Sequence, residues 1–232
     1  MKVVITGGSR GIGKAIALKF AAHGHDLFLC SRTIEHLEAT RNEIVKLYPA
    51  ISVDIFAADL SIKENVSAFA NAVLSKSTVD ILVNNSGTYQ PGNVSTDDEM
   101  GLQNMMDQNF YSSFYTTRSF LPHLIQKKSG HIFNLCSIAS LQAYEGGGFY
   151  GVSKFALLGF TRNLRHELKS HGIKVTAVFP GAVMTDSWAG FDNSENRIMV
   201  ASDIADMIYA SSMLSAQAVV EDIIIRPQLG DL

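Results

Sequence analysis

The sequence predicts an α/β fold: one domain built on a doubly wound parallel sheet with helices on both faces. Three observations carry this. Seven short apolar runs alternate with longer stretches of helical periodicity along all 232 residues. The runs are rich in Val, Ile and Phe and mostly lack polar alternation, as strands covered on both faces do. A glycine-rich turn follows the first run directly and opens a helix. Strand–helix alternation of this kind calls for a parallel sheet with right-handed crossovers.

The strands are expected at Lys2–Thr6, Leu27–Ser31, Val53–Ala57, Ile81–Asn84, His131–Cys136, Val175–Phe179 and Asp222–Arg226. Helices fill the gaps. Ser61 with Glu64, and Thr96 with Glu99, read as capping boxes that open two of them. A long helix is expected from about Asp98 to Lys127, with Met105, Met106, Phe110, Phe114, Tyr115, Phe120 and Leu121 around much of its circumference. The next long helix adds Phe155, Leu157, Leu158 and Phe160. Helices apolar on more than one face need cover beyond their own sheet. There is no repeat, low-complexity tract or linker, so residues 1–232 read as a single domain.

Composition narrows the partners. Hydrophobic residues make up 47% and charged residues 18%, enough for a well-buried core. A net charge of -3 gives no footprint of a nucleic-acid or anionic-membrane binder. The first strand begins at Lys2, which leaves no room for a signal peptide, and no apolar run nears the ~20 residues of a membrane span. The chain is therefore expected to be soluble and cytoplasmic. Cys30 and Cys136 close two strand-like runs. With two strands between them they stand roughly 14 Å apart, too far for a disulfide. The close pair His23 and His25 sits at a helix end, where capping is the better reading than metal binding, and no metal is expected.

The turn "TGGSRGIG", Thr6 to Gly13, has the spacing Gly7-x-x-x-Gly11-x-Gly13. Glycines permit a tight turn and let backbone N–H groups reach a pyrophosphate at the positive end of a helix. Gly13 lets that helix pack close to the strand. The second strand ends in Cys30-Ser31-Arg32, without the acid that a 2′-hydroxyl would want. Arg32 can pair with a 2′-phosphate, Ser31 can donate to it, and Arg10 offers a second cation, so NADP(H) is the expected cofactor. In "FYGVSK", Tyr150 and Lys154 lie one helical turn apart on one face. Alone, that pair is an ordinary surface helix.

Taken together, these residues resemble the short-chain dehydrogenase/reductase family nearly end to end. Thr6 to Gly13 is similar to its TGxxxGxG. Asp59-Leu60 resembles its adenine-contacting acid, and Asn84-Asn85-Ser86-Gly87 its NNAG, with Ser for Ala. Ser137 and Tyr150, thirteen residues apart, with Lys154, resemble its catalytic serine and YxxxK, and Asn109 falls where the family keeps an asparagine. "PGAVMTD" departs slightly from the family's cofactor-closing segment but keeps Val183 and Thr185.

The resemblance implies a Rossmann fold with strand order 3-2-1-4-5-6-7. It implies cofactor contacts from Gly7, Ser9, Arg10, Gly11, Ile12, Gly13, Ser31, Arg32, Asp59, Leu60, Asn84, Gly87, Tyr150, Lys154, Pro180, Gly181, Val183 and Thr185. It implies that Tyr150 is the general acid/base, that Lys154 tunes it and clamps the ribose, that Ser137 steadies the substrate oxygen, and that Asn109 holds a water in a proton relay. A cation ~4 Å from the phenol at an effective dielectric of ~20 favours the phenolate by about 4 kcal/mol, enough to bring a Tyr near neutral pH. The expected reaction is hydride transfer between NADP(H) and a carbonyl or secondary alcohol. A non-catalytic NADP-sensing regulator and an epimerase or dehydratase are the alternatives. The two long helices are expected to build a homodimer or homotetramer. The substrate is not readable: Trp188 and Phe191 are candidate walls of a short lid, and Lys127 and Lys128 fit a β-ketoacyl thioester on an acyl carrier while His171 stands where the resemblance calls for an arginine, so that substrate stays open. The closing "IIIRPQLGDL" resembles small family reductases that accept hydroxy acids or diverse carbonyls.

Overall fold

Each expected apolar run becomes a strand of one sheet. A computed structural model describes residues 1–188 and 190–231. The strands are β1 (Lys2–Thr6), β2 (Asp26–Ser31), β3 (Val53–Ala57), β4 (Ile81–Asn84), β5 (Gly130–Leu135), β6 (Ile173–Pro180) and β7 (Asp222–Ile225). All neighbours are parallel, in the order β3-β2-β1-β4-β5-β6-β7. The helices are α1 (Gly11–Ala22), α2 (Ile34–Leu47), α3 (Lys63–Leu74), α4 (Glu99–Met106), α5 (Ser112–Lys127), α6 (Gly148–Leu168) and α7 (Ala201–Ser212).

Alternate residues of each strand feed two separate cores, because successive side chains point to opposite faces. Val3 and Ile5 of β1 join Leu27 and Leu29 of β2 beneath Ile16, Phe20, Ile204 and Ile208 of α1 and α7. Val4, Phe28, Leu82 and Ile132 pack on the other face against Phe69, Phe120 and Leu124 of α3 and α5. Each large side chain withdrawn from water contributes about 1.5–3 kcal/mol. The order reverses between β1 and β4, so a crevice opens at the carboxyl ends of those two strands.

Several local expectations fail. Neither capping box forms. Ile62, not Ser61, caps α3, and the Ser61 hydroxyl donates to Asp59 instead. Asp98, not Thr96, caps α4 by accepting from the Met100 amide. The single helix expected from Asp98 to Lys127 is interrupted by a π-helical turn at Asp107–Tyr111, centred on Asn109. Such turns gather at functional sites. The readings of the two cysteines and of His23 hold. Cys30 and Cys136 are free and buried, and burial pushes their thiols up to about 12 and about 11. The His23 ring pairs with the Lys19 carbonyl at the end of α1. Among the described residues no helix is long and apolar enough to cross a membrane, and no cluster of His, Cys, Asp and Glu could hold a metal ion.

His131 sets an acid limit on stability. Its Nε2 meets the Thr176 hydroxyl at 2.7 Å, and that hydroxyl donates to the Val220 carbonyl. Nε2 must therefore carry the hydrogen, which leaves a buried Nδ1 with no partner. Burial lowers the His131 pKa to about 3. An unfolded His takes up its proton near 6.5, so between about pH 6.5 and 3 only the unfolded chain is protonated there, and stability falls as pH falls. The loss is about 2 kcal/mol by pH 5. His131→Phe is expected to flatten the stability–pH curve between pH 6.5 and 4.5 in urea titrations. Parallel losses in both proteins would refute this.

Candidate active site

The site grows from the end of β1. Gly7 and Gly11 hold φ of 65° and 53°, a region that side chains resist. A Cβ on Gly13 would overlap the Gly7 carbonyl oxygen, so Gly13 lets α1 start against the strand. Thr6 ties this turn to β4: its hydroxyl accepts from the Asn85 and Ser86 amides at 2.9 and 3.0 Å. The Asn85 side chain donates back to the Thr6 and Gly7 carbonyls at 3.0 and 3.2 Å. The result is a glycine turn with its N–H groups aimed into the crevice.

A cleft of about 750 Å³ runs along that crevice. One end is lined by Ser31, Arg32 and His36 from the β2 edge and by Asp59 and Leu60 after β3. Its floor is Gly7, Ser9, Arg10, Gly11 and Ile12. Pro180, Gly181, Val183 and Thr185 follow β6 along its side, and Trp188 reaches over it. Phe191 backs Trp188 edge-on, with ring centres 5.2 Å apart. The acid at this end is Asp59, after β3, while β2 itself ends in Ser31 and Arg32. Arg10 is engaged: it reaches across the turn to the Asp186 carboxylate at 2.6 Å, joining the turn to the lid.

Ser137, Tyr150 and Lys154 line the other end. Ser137 follows β5 and caps a short 3-10 turn, its hydroxyl accepting from the Ala139 amide at 3.1 Å. The Lys154 ammonium is buried. It donates to the Leu135 carbonyl at 2.8 Å and sits 5.8 Å from the centre of the Tyr150 ring. Burial lowers its pKa to about 8. The expected depression of Tyr150 is not found: burial raises the phenol above its ordinary value, against a smaller pull down from the Ser137 hydroxyl. At this depth desolvation outweighs the Coulomb benefit on which the expectation rested.

Asn109 is fully buried and does not line the cleft. Its carbonyl oxygen accepts from the Thr88 amide at 2.7 Å, and its amide donates to the Thr88 carbonyl and the Ser153 hydroxyl at 3.0 Å each. Ser153 in turn donates to the Tyr150 carbonyl at 2.7 Å. Asn109 therefore positions the Gly87–Thr88 strand end and the first turn of α6, and its side-chain donors are both committed. Gly87 must be small: a Cβ there would stand 2.8 Å from the Asn109 oxygen and 3.6 Å from the Lys154 nitrogen.

Other sequence expectations need correction. Asn84 does not face the cleft. It is buried in the sheet, donating to Thr117 and Asn134 at 2.8 Å each. Gly13 packs rather than lines. Within the chain, Lys127 does not stand beside the site mouth: it pairs with Asp80 at the start of β4, the far end of the sheet. Lys128 and His171 flank that same end, next to the starts of β5 and β6. Sequence reasoning missed Asn85 and two tyrosines. Tyr89 meets Tyr150 edge-on, ring centres 5.0 Å apart, and Tyr144 lines the cleft beside it. Only their places near "NNSG" and "FYGVSK" hinted at this.

Known proteins are similar to this chain over nearly its whole length. A sepiapterin reductase from Chlorobaculum tepidum is 32% identical over 239 residues, covering 99% of this chain and 97% of the relative. An uncharacterized oxidoreductase from Staphylococcus epidermidis is 31% identical over 225 residues, covering 97% of this chain and 96% of the relative. A metagenomic short-chain oxidoreductase solved in complex with NADP superposes with a TM-score of 0.86 at 31% identity, over 98% and 97% of the two chains. An alcohol dehydrogenase from the archaeon Thermococcus sibiricus, complexed with 5-hydroxy-NADP, reaches 0.90 at 27% identity, over 98% and 96%. The short chain dehydrogenase family matches residues 1–196, and with the glycine turn, the strand order and the Ser137, Tyr150 and Lys154 cleft in hand, the chain belongs to that family.

Proposed function

We propose that the protein is an NADP(H)-dependent oxidoreductase that interconverts a small carbonyl compound and its secondary alcohol, with Tyr150 as general acid/base. The observation that carries this is the convergence of Ser137, Tyr150 and Lys154 on the same cleft as the glycine turn. The relatives named as a reductase and an alcohol dehydrogenase, and the NADP complexes among the solved structures, support it.

The residues present fit the cofactor. The positive-φ glycines leave backbone N–H groups at the start of α1 for a pyrophosphate. Ser31 and Arg32 at the β2 edge suit a 2′-phosphate. Gly87 keeps space open beside Lys154 for a ribose. When bound, the nicotinamide supplies the hydride that goes to the carbonyl carbon. Tyr150 gives its phenolic proton to the carbonyl oxygen, and the Ser137 hydroxyl donates to that oxygen as charge grows on it. Lys154, protonated below about pH 8, stabilises the phenolate left behind. Asn109 holds the first turn of α6 in place. A complete set of these groups favours an enzyme over a cofactor sensor. With the basic residues of the far edge removed from the mouth, a free small carbonyl compound is the proposed substrate in preference to a carrier-bound thioester.

We also propose a dimer across α5 and α6. Val152 and Phe155 are 44% and 46% exposed on α6, and Phe160 of the same helix meets the stacked Phe110 and Phe114 edge-on. Light scattering at micromolar concentration is expected to give twice the chain mass or a multiple of it, and a monomer would overturn the assignment.

Cofactor choice is tested by fluorescence titration. NADPH is expected to bind at least about tenfold tighter than NADH, because a charged pair to a phosphate is lost with NADH. Ser31→Asp combined with Arg32→Ala should narrow or reverse the gap, and equal wild-type affinities would exclude this role for the β2 edge.

The raised Tyr150 pKa has a direction. A phenol held above its usual value stays protonated at neutral pH, so carbonyl reduction is expected to be insensitive to pH from 6 to 8. Alcohol oxidation needs the phenolate and should climb at alkaline pH. Tyr150→Phe is expected to lose about two to four orders of magnitude in turnover while still binding NADPH. Lys154→Met should weaken NADPH and slow carbonyl reduction below about pH 8, where the ammonium otherwise steadies the phenolate left behind. Wild-type turnover in either variant would remove these residues from the chemistry.

A further inference from the structure

The charges along the cleft are not evenly spread. Its lining cations are Arg10, Arg32 and Lys154. Arg32 stands at the β2 end, Arg10 is held by Asp186, and Lys154 is buried against the Leu135 carbonyl beneath Tyr150. Two more arginines near the lid are also taken. Arg226 pairs with Asp231 at 2.6 Å, and Arg197 donates to the Gly230 and Asp231 carbonyls at 3.0 and 3.1 Å. Around Tyr150, then, no lining cation among the described residues is left to receive an anionic substrate.

What lines that end instead is aromatic and acidic. Tyr89 lies against Tyr150, Tyr144 lines the wall beside Tyr89, and Trp188 reaches over from the lid. Glu145, next to Tyr144, lines the same cleft. Of the three other acids that line the cleft, Asp186 and Asp231 are each matched by an arginine, and Asp59 stands at the far end, after β3, accepting from the Ser61 amide and hydroxyl. Glu145 has no ion-pair partner among the described residues.

Resting on the carbonyl-reductase reading, we infer that this end selects ring-bearing carbonyl compounds that are neutral or cationic, and rejects carboxylates and phosphates, with Glu145 setting the preference. The aromatic side chains offer faces and edges to a flat ring. They also favour a cation over water, and an acid at their rim adds to that preference. A carboxylate brought to the same place meets like charge with no cation to offset it, and because Glu145 is exposed that repulsion depends on salt. Hydroxy acids, suggested by the last residues of the sequence, are therefore the wrong substrates.

Three aryl ketones of one skeleton test this: 4-acetylbenzoate, 4-acetylbenzamide and 4-(aminomethyl)acetophenone. With saturating NADPH, kcat/KM for the amide and the amine is expected to exceed that for the carboxylate at least about tenfold, and the gap should shrink in 0.5 M salt. Glu145→Gln should bring the amine and the carboxylate to within about threefold, and Glu145→Lys should reverse their order, with NADPH titration reporting that each variant is folded. Tyr144→Ala should cost the aryl ketones more than it costs 2-butanone. Trp188 is the single tryptophan, so quenching of its fluorescence measures binding of the same three ketones to the NADP⁺ complex without any turnover. A wild type that handles the carboxylate within threefold of the amide, or a Glu145→Gln protein that keeps the full gap, overturns the inference. If no ketone is reduced although NADPH binds, the carbonyl-reductase reading fails. The binding order of the three compounds then decides the charge preference by itself, and equal binding refutes it.

Discussion

The junction of Thr6, Gly7 and Asn85 is the constraint on which the rest of the cleft depends. There β1 ends, α1 begins and β4 arrives within hydrogen-bond reach. The Gly8 amide adds a bond to the Cys30 carbonyl at 3.2 Å, bringing in β2. Buried backbone groups at strand ends must find partners, and here one threonine hydroxyl and one asparagine amide provide them between β1 and β4. Because the partners are fixed, the N–H groups at the head of α1 are left pointing into open space, and the end of β4 delivers Gly87 directly beside Lys154. Moving any one of these pieces by a side chain's width would fill the space between the turn and the lysine.

Lys154 shows a second constraint. An ammonium in a protein interior is costly unless it is hydrogen-bonded. The Leu135 carbonyl meets that need, and the π-turn that buries Asn109 fastens α6 through Ser153 so that the bond can persist. The same burial that draws the lysine pKa down raises the tyrosine, so both groups are pushed toward their neutral forms. Coulomb attraction and desolvation act in opposite directions on such a pair, and depth decides which wins. A spacing of four residues reveals the partnership but not the depth.

That difference separates what the sequence could tell from what it could not. Strands were legible because a run buried on both faces has to be apolar, and the glycine turn was legible because its backbone excludes side chains. Ser137, Tyr150 and Lys154 were legible as a spaced set. The misread residues share a cause: their roles depend on direction. Asn84 and Asn85 are neighbours in a strand end, so they point to opposite sides, and only Asn85 meets the turn. Lys127 looked available until the fold placed Asp80 beside it at the far edge. Ser61 had a capping pattern, yet its hydroxyl donates to Asp59 at 2.7 Å and α3 begins at Lys63, one residue too late for Ser61 to cap it. Tyr89 and Tyr144 are brought together only by loops, whose sequences carry no periodicity to read.

Opposed charge at the two ends of one cleft also bears on how a long polyanionic cofactor and a small substrate share it. The turn, the head of α1 and Arg32 attract phosphate at one end, while Glu145 and the tyrosines make the other end unfavourable to it. Such a gradient fixes which way round a molecule with phosphates along one half can lie, independently of close-range fit. The Arg10–Asp186 pair stands between the two regions, tying the turn to the lid segment that carries Trp188. An exposed pair contributes little to stability. Its significance is positional, since it holds the glycine turn against the segment after β6 that supplies Thr185 and Trp188 to the cleft.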